Sequence, residues 1–574
     1  MLFFLHHVRM NRLRRRAYNS ISLCFATLVF LCGARTAIAE PAFPLHTQGG
    51  AIVDRNGVRV HLNGVNWYGA ESTDFVVAGL QAATLQSIVQ QIKDLGFNVV
   101  RLPWSNQLYE TDPVVGNYAL AANPSLEGEN ALTILDQVIA ALTSAGIMVI
   151  LDNHNSNAEW CCSTKDGNSL WYNNQYPQSS WIADWEGMVH RYQNNPSVIG
   201  ADLRNEPRSP ATWGGSLNTD WHAAAQLGGN AALSVNSSLL IFVEGINYAT
   251  DLSGAATLPV QLNVANRLVY EAHNYGNDFS NLTGYSDFAN RATSNWGYLA
   301  TGNNPQPLWI GEFGTCNTAD TCINSSTSSN NGYWFNMLTA YLQQYGIDWT
   351  YWPINGTHST GGNSAYGSTE TYGVLNASWN GTANARLTAR LQSTMATAGP
   401  GITLVGPASS VNVAPGETGS TTVAIVPGNG FTGTVNLGCT VSGPSGTTDA
   451  PTCRVPPSES ISGTAPANAT VSITTTAAVS HTRQQNPWDI FTGGSRSVAT
   501  GYVLLLAGSF ARYRKIWLVP LIGFVAIFSL AGLTGCGGGN SSSPGTTAGS
   551  YTVTITGTST GIASSAAQIS LTVQ

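Results

Sequence analysis

Residues 198–207 read Val-Ile-Gly-Ala-Asp-Leu-Arg-Asn-Glu-Pro, an apolar run that closes on a polar, acid-bearing turn. A short apolar run bounded by turn residues reads as a strand buried on both faces, the pattern of a parallel sheet. The run Val198 to Leu203 is one of eight. The others are Val60 to Val65, Val99 to Leu102, Ile147 to Leu151, Leu239 to Val243, Leu268 to Tyr270, Leu308 to Ile310 and Ile347 to Trp352. Amphipathic helices fall between several of them. Leu85, Ile88, Val89 and Ile92 recur at helical spacing, as do Leu132, Leu135, Ile139 and Leu142. Eight strand–helix units within residues 40–398 predict an α/β domain closed into a (β/α)8 TIM barrel. Ahead of it, Ala51 to Leu62, centred on Asn56-Gly57, reads as a hairpin.

Composition narrows the function. Only 10% of the 574 residues are charged, against about 25% in an average soluble protein, so the surface must be built from neutral hydrogen-bonding groups. The net charge is −7, the wrong sign for a nucleic-acid binder, whose affinity comes mostly from phosphate contacts. With 16 Trp, 21 Tyr and 17 Phe, the chain can bury ample apolar surface and is neither collagenous nor wholly disordered.

The N-terminus predicts export. Arg12, Arg14, Arg15 and Arg16 precede an apolar stretch from Ile21 to Leu31, and Ala37-Ile38-Ala39 supplies a small-residue cleavage pattern, so residues 1–39 read as a signal peptide. Outside the cytosol cysteines can pair. Cys316 with Cys322, and Cys439 with Cys453, are candidate bridges, while Cys161 and Cys162 are harder to place. Without a CxxC pair or an HExxH, no metal site and no cofactor is expected.

Beyond the barrel, residues 401–480 are rich in Thr, Val, Ser, Gly and Pro and read as a small all-β, Ig-like sandwich module. A hydrophobic region at 498–536 interrupts it, with Ile516 to Leu533 long enough to cross a bilayer, and residues 545–574 resume a strand pattern that could complete the module. A single crossing would leave Arg512, Arg514 and Lys515 on the exported side, against the positive-inside tendency, whereas a hairpin would keep them inside. Leu533-Thr534-Gly535-Cys536 also mimics a lipoprotein processing site. The expectation is a secreted monomer, tethered at the cell surface if 498–536 enters a membrane.

In a βα barrel, active residues sit at the C-terminal ends of strands. Those ends carry Arg101, His154, Asn205, Glu206, His273, Tyr275, Glu312 and Trp352. Each alone is unremarkable: Asn-Glu-Pro is a common strand ending, and an isolated His or Trp is more often packed than functional. Their succession on one rim changes the reading. Glu206 and Glu312, on different strands, form the carboxylate pair that glycoside hydrolysis requires, one to protonate the leaving oxygen and one to attack or to activate water. Glu244 is the rival carboxylate, and Asp152 reads as a residue that orients a neighbour.

This set resembles glycoside hydrolase family 5, whose eight characteristic positions map onto Arg101, His154, Asn205, Glu206, His273, Tyr275, Glu312 and Trp352. The likeness extends from about Ile52 to Ala396, is strongest to the first subfamily, and includes Gly64-Val65-Asn66-Trp67 and Asn295-Trp296-Gly297-Tyr298. The resemblance implies a retaining endo-β-1,4-glucanase acting on cellulose or soluble β-glucans. Glu312 would be the nucleophile and Glu206 the acid and base. Asn205 would bond the sugar 2-OH, Arg101 and Tyr275 would hold Glu312, and His154, His273 and Trp352 would contact or position substrate. A mannanase, xyloglucanase or mixed-linkage glucanase could use the same machinery; a carbohydrate-binding protein without catalysis is the reading from another class. Where relatives carry tryptophan platforms after the fifth strand, Asn247 to Leu252 offers only Tyr248, leaving Trp67, Trp171 or Trp213 as candidates for the outer subsites.

Overall fold

A computed structural model describes residues 40–479 and 544–574, apart from 328–330, 363, 396–399 and 563. Eight parallel strands close into a barrel: β1 (Asn63–Asn66), β2 (Val99–Ser105), β3 (Met148–Asn155), β4 (Val198–Asp202), β5 (Leu240–Glu244), β6 (Leu268–Asn274), β7 (Leu308–Phe313) and β8 (Asp348–Tyr351), with β8 pairing back onto β1. Several strands run further toward their C-terminal ends than their apolar runs predict. The extra residues are polar and belong to the rim: His154 and Asn155 on β3, Glu244 on β5, Glu271 to Asn274 on β6, and Glu312 on β7.

The helices bury the faces their periodicity marks. In α1 (Leu85–Asp94), Leu85, Ile88, Val89 and Ile92 are buried, and Thr84 caps the first turn by accepting from the Ser87 N–H. In α2 (Ala131–Ser144), Leu132, Leu135, Ile139 and Leu142 are buried together with Ile134 and Val138. The expected hairpin around Asn56-Gly57 forms in short form, with Val53 bridged to Arg59 and the Val60 N–H donating to Ile52 O at 2.9 Å, and its first strand is also paired on the other side. Strands His46–Gln48 and Ala51–Val53 pair across Gly49-Gly50, and Asn56-Gly57 lies in a following turn where Asp54 Oδ1 accepts from the Asn56 and Val58 N–H groups. That local capping draws residues 54–58 into a turn, leaving the Val53–Arg59 bridge as the continuation of pairing.

Alternation with period two divides the barrel interior in height. The inward residues of the lower half are apolar: Val99, Met148, Ile150, Leu240, Phe242, Val269 and Trp309 form one buried cluster. Two residues further along the same strands, the inward positions become Arg101, Asp152, Glu244 and Glu271. Strict alternation would turn Glu312 outward on β7. A register shift between Ala272 and His273 instead pairs His273 with Glu312, and this irregularity aims Glu312 inward.

After the barrel, two sheets face one another around a second apolar cluster that includes Val423, Val471, Val553 and Ile569. One sheet holds β9 (Gly401–Val405), β11 (Thr418–Gly428), β13 (Thr452–Arg454) and β15 (Ala467–Thr474). The other holds β10 (Val411–Val413), β12 (Gly433–Ser442), β14 (Ser458–Ile461), β16 (Gly549–Thr558) and β17 (Ser565–Val573). Cys439 is bonded to Cys453 here, and Cys316 to Cys322 beside the barrel. The sandwich packs on helix α3 (Asn331–Tyr345), which is buried almost all round because it lies between two bodies. Gln343 Oε1 accepts from Thr403 Oγ1 at 3.0 Å, and Gln344 Nε2 donates to Thr464 O at 2.6 Å.

The sequence readings of 1–39 as a signal and 498–536 as a membrane region lie outside the described residues. Among the described residues no helix is long and apolar enough to cross a membrane. The described residues on either side of 480–543 pair within one body. The Thr546 N–H donates to Thr476 O at 2.9 Å, and β16 and β17 pair with β12 and β10.

Barrel closure leaves no room at Gly64. A Cβ there would lie 1.9 Å from Val99 O and 2.6 Å from Val99 Cγ1. We expect Gly64→Ala to lower barrel stability by about 1–3 kcal/mol, the usual cost of overpacking, read from the denaturant midpoint by tryptophan fluorescence.

Candidate active site

All eight rim residues converge. Arg101, wholly buried, is the hub. Its Nε donates to Asp202 Oδ2 at 2.8 Å, NH1 donates to Asn66 Oδ1 at 3.1 Å and Glu312 Oε1 at 2.7 Å, and NH2 donates to Asn205 Oδ1 at 3.0 Å and Glu244 Oε1 at 3.1 Å. Asp152 Oδ2 lies 3.0 Å from NH1, and Glu271 Oε1 3.5 Å from Nε. Burial alone would lower the guanidinium pKa, but Asp152, Asp202, Glu271 and Glu312 together raise it well above its ordinary value. The cation is permanent.

One cation cannot neutralise this many acids, so some hold protons. Burial pushes Asp152 up to about 6 and drives Asp202, Glu244 and Glu271 upward, each raised further by its acidic neighbours in the case of the last three. Gly311 makes the packing feasible: a Cβ there would lie 1.6 Å from Glu271 Oε1.

Glu206 and Glu312 face each other across His273. An oxygen of each and a ring nitrogen of His273 all lie within 4.8 Å of one another. Glu312 Oε2 accepts from the Tyr275 hydroxyl at 3.0 Å, and burial together with Glu312 and Glu206 keeps that phenol protonated. Glu206 is raised to about 7, chiefly by burial and against the pull of Arg208 and Arg101. His273 Nδ1 lies 3.1 Å from Glu206 Oε1, and its Nε2 lies 3.3 Å from Glu271 Oε1. Burial lowers His273 to about 3, so the ring is neutral near pH 7 and carries one N–H. That N–H serves one carboxylate; the other contact requires a protonated acid.

Glu206 sits at φ 47°, left-handed backbone that a non-glycine residue adopts only when held. Glu244 Oε2 accepts the Glu206 N–H at 2.6 Å and Arg208 NH1 donates to Glu206 O at 3.0 Å. This settles the place of the rival carboxylate: both oxygens of Glu244 are engaged, and the residue is fully buried beneath the site. Asp152 orients its neighbour, with Oδ2 2.6 Å from His154 Nδ1. Burial lowers His154 to about 3 as well. Trp352 stacks on His154, with ring centroids 5.5 Å apart, and on Tyr68 at 5.1 Å.

The outer-subsite candidates need correction. Trp67 and Trp171 are fully buried, Trp67 donating to Ala78 O and Trp171 to Gln178 Oε1, and neither presents a face to a ligand. Trp213 is part-exposed but donates to Leu258 O. Trp160, which sequence reading passed over, stands edge-on to Tyr68 at 5.4 Å. Asp202, Glu271 and Asn66 were also passed over; Glu271 could have been found, because alternation puts it on the same face as His273. Among the described residues three clusters could offer metal-ligand atoms: His154 with Cys161 and Cys162; Glu206, His273 and Glu312; and Glu244, Glu271 and His273. In the first the two sulfurs are bonded to each other, and in the others the atoms are engaged in the hydrogen bonds above.

The cellulase (glycosyl hydrolase family 5) profile matches residues 53–358. The chain belongs to glycosyl hydrolase family 5. This family 5 hydrolase is 39% identical over 337 residues to an endoglucanase of Paenibacillus polymyxa, covering 55% of this chain and 81% of that protein. It is 33% identical over 358 residues to the major extracellular endoglucanase of Xanthomonas campestris pv. campestris, covering 59% and 71%. The solved catalytic domain of the Xanthomonas enzyme superposes with a TM-score of 0.53 at 30% identity, over 61% of this chain and 99% of that one. An endocellulase from Pyrococcus horikoshii gives 0.53 at 28%, over 62% and 99%. The chain is a glycoside hydrolase of the endoglucanase type.

Removing Arg101 from the hydrolase should strand buried acids. We expect Arg101→Met to cost about 3–5 kcal/mol, the usual penalty for breaking a buried ion pair. Carboxyls whose folded pKa lies above the ordinary value bind protons more tightly when folded, so their contribution falls as pH rises from about 4. The deficit, measured by thermal unfolding, should therefore be larger at pH 8 than at pH 5.

Proposed function

We propose that this hydrolase cleaves internal β-1,4 bonds of cellulose or soluble β-glucans with retention of configuration, Glu312 acting as nucleophile and Glu206 as acid and then base. The observation that carries the reading is that one carboxyl oxygen of Glu206 and one of Glu312 lie within 4.8 Å of each other. Direct attack needs carboxyls about 5 Å apart, whereas an inverting pair stands roughly 6.5–9.5 Å apart to admit water.

Glu312, with one oxygen held by Arg101 and the other by Tyr275, attacks the anomeric carbon as the glycosidic C–O bond breaks. Glu206, raised to about 7 by burial, gives its proton to the leaving oxygen. As a carboxylate it then takes a proton from water, whose oxygen displaces Glu312 from the sugar. His273 steadies Glu206, Asn205 donates to the sugar 2-OH, and the Trp352–His154 stack supports the sugar at the cleavage point. The choice of β-1,4-glucan is supported by the endoglucanase relatives and by the Pyrococcus endocellulase, which has been solved with cellotetraose. Export is part of the same reading, supported by the N-terminal pattern and by three disulfides among the described residues, since such bonds persist in oxidising compartments.

Reducing-sugar release from carboxymethylcellulose, mannan, xyloglucan and barley β-glucan tests the substrate; activity confined to mannan would overturn it. Glu312→Gln should abolish turnover. Glu206→Ala should lower kcat/KM by about 10²–10⁴-fold on substrates with poor leaving groups and far less on dinitrophenyl cellobioside, whose departure needs no proton, while kcat falls on both because the second step loses its base. In the wild type, kcat/KM should fall as pH rises through about 7, the loss of the protonated Glu206, and NMR should show the β-anomer released first.

A further inference from the structure

The loop after β3 brings Trp160-Cys161-Cys162 to the rim, and the hydrolytic scheme makes no use of the two sulfurs. They are bonded to each other across adjacent residues and partly exposed. The loop is pinned on both sides: Asn155 Nδ2 donates to Glu159 O at 2.6 Å, and Arg208 Nε and NH2 both donate to Ser163 O, at 3.2 and 3.1 Å. So held, the pair touches two residues of the site. Asn205 Nδ2 lies 3.4 Å from Cys161 Sγ and 3.5 Å from Cys162 Sγ, and His154 Nε2 lies 3.5 Å from Cys161 Sγ.

A disulfide sulfur is a weak acceptor and not a donor. Asn205 has its oxygen committed to Arg101, so its amide hydrogens point at groups that hold them only loosely. A sugar hydroxyl is a far better acceptor, and the Asn205 amide, aimed by the sulfurs yet weakly bonded to them, is poised to transfer to it. Reduction changes every part of this. Each sulfur gains a proton that it can donate, becomes ionisable, and moves from bonding to van der Waals separation from its partner, beside Asn205 and His154.

We propose that the Cys161–Cys162 bond is a positioning element for Asn205 and a thiol-exchange site through which small-molecule thiols turn hydrolysis down. The proposal rests on the reading that Asn205 donates to the sugar 2-OH. In the exchange the pair takes up two electrons and two protons and becomes two thiols, while a dithiol such as dithiothreitol loses the same and closes to its cyclic disulfide.

The test uses the full chain and aryl β-cellobiosides with and without the 2-OH on the reacting sugar. Dithiothreitol should lower kcat on the 2-hydroxy substrate by about tenfold, the worth of one hydrogen bond, and change the rate on the 2-deoxy substrate by less than about twofold, since that substrate has no hydroxyl for Asn205 to reach. C161A/C162A should show the lowered kcat without reductant and no response to it. An equal loss on both substrates would overturn the proposal, as would unchanged kcat when alkylation and mass spectrometry show the pair reduced. A response to reductant surviving in C161A/C162A would also overturn it, by moving the effect to Cys316–Cys322 or Cys439–Cys453. If that variant does not fold, the wild-type measurements with the two substrates still decide. N205A separates the two readings. Should it keep its full rate on the 2-hydroxy substrate, the role of Asn205 fails and the proposal with it; should it lose rate while C161A/C162A does not, the disulfide's role alone fails.

Discussion

One guanidinium organises the barrel mouth. Arg101 bonds or pairs with side chains from β1, β3, β4, β5, β6 and β7 and with Asn205 after β4. A buried charge is tolerated only if paired and fully hydrogen-bonded. Arginine meets this with a planar fork of five donors; a lysine would offer one point charge and could not reach several strands at once. The acids around it in turn tolerate burial only by leaning on that cation and by holding protons among themselves. Both carboxyls of the reaction are tied to this network, Glu312 directly and Glu206 through Glu244 and His273.

The barrel therefore divides its labour by height. Below, apolar side chains such as Phe242 and Trp309, 4.9 Å apart, pack as an ordinary core. Above, the same inward positions hold acids and an arginine, an arrangement that an apolar filling would match or exceed in stability. Burial that raises the carboxyl of Glu206 also makes it a proton donor near neutral pH, so the energetic cost of the polar layer and its chemical use have the same origin. Strain follows the same logic at Glu206, whose left-handed backbone is held by the Glu244 carboxylate and Arg208.

The sandwich is coupled to the barrel through α3, whose Gln343 and Gln344 are buried and bonded across the junction. One of its two sheets is completed only when the last strands return, so residues far apart in the chain fold as one body.

Period-two and helical patterns are local properties, and from them eight strands, their order and the buried faces of α1 and α2 can be read directly. So can the eight rim residues, because each closes an apolar run. Their mutual geometry cannot. Alternation alone turns Glu312 away from the site, and only the register shift against β6, opposite a glycine that makes room for Glu271, turns it inward. Trp67 and Trp171 look like ligand platforms in one dimension and are buried in three. Glu244 and Glu206 are both acids after strands, and their difference lies in which groups surround them. Periodicity is written residue by residue and survives in the chain itself; burial, proton sharing and the approach of Cys161 and Cys162 to Asn205 depend on contacts between distant segments, which exist only once the barrel closes.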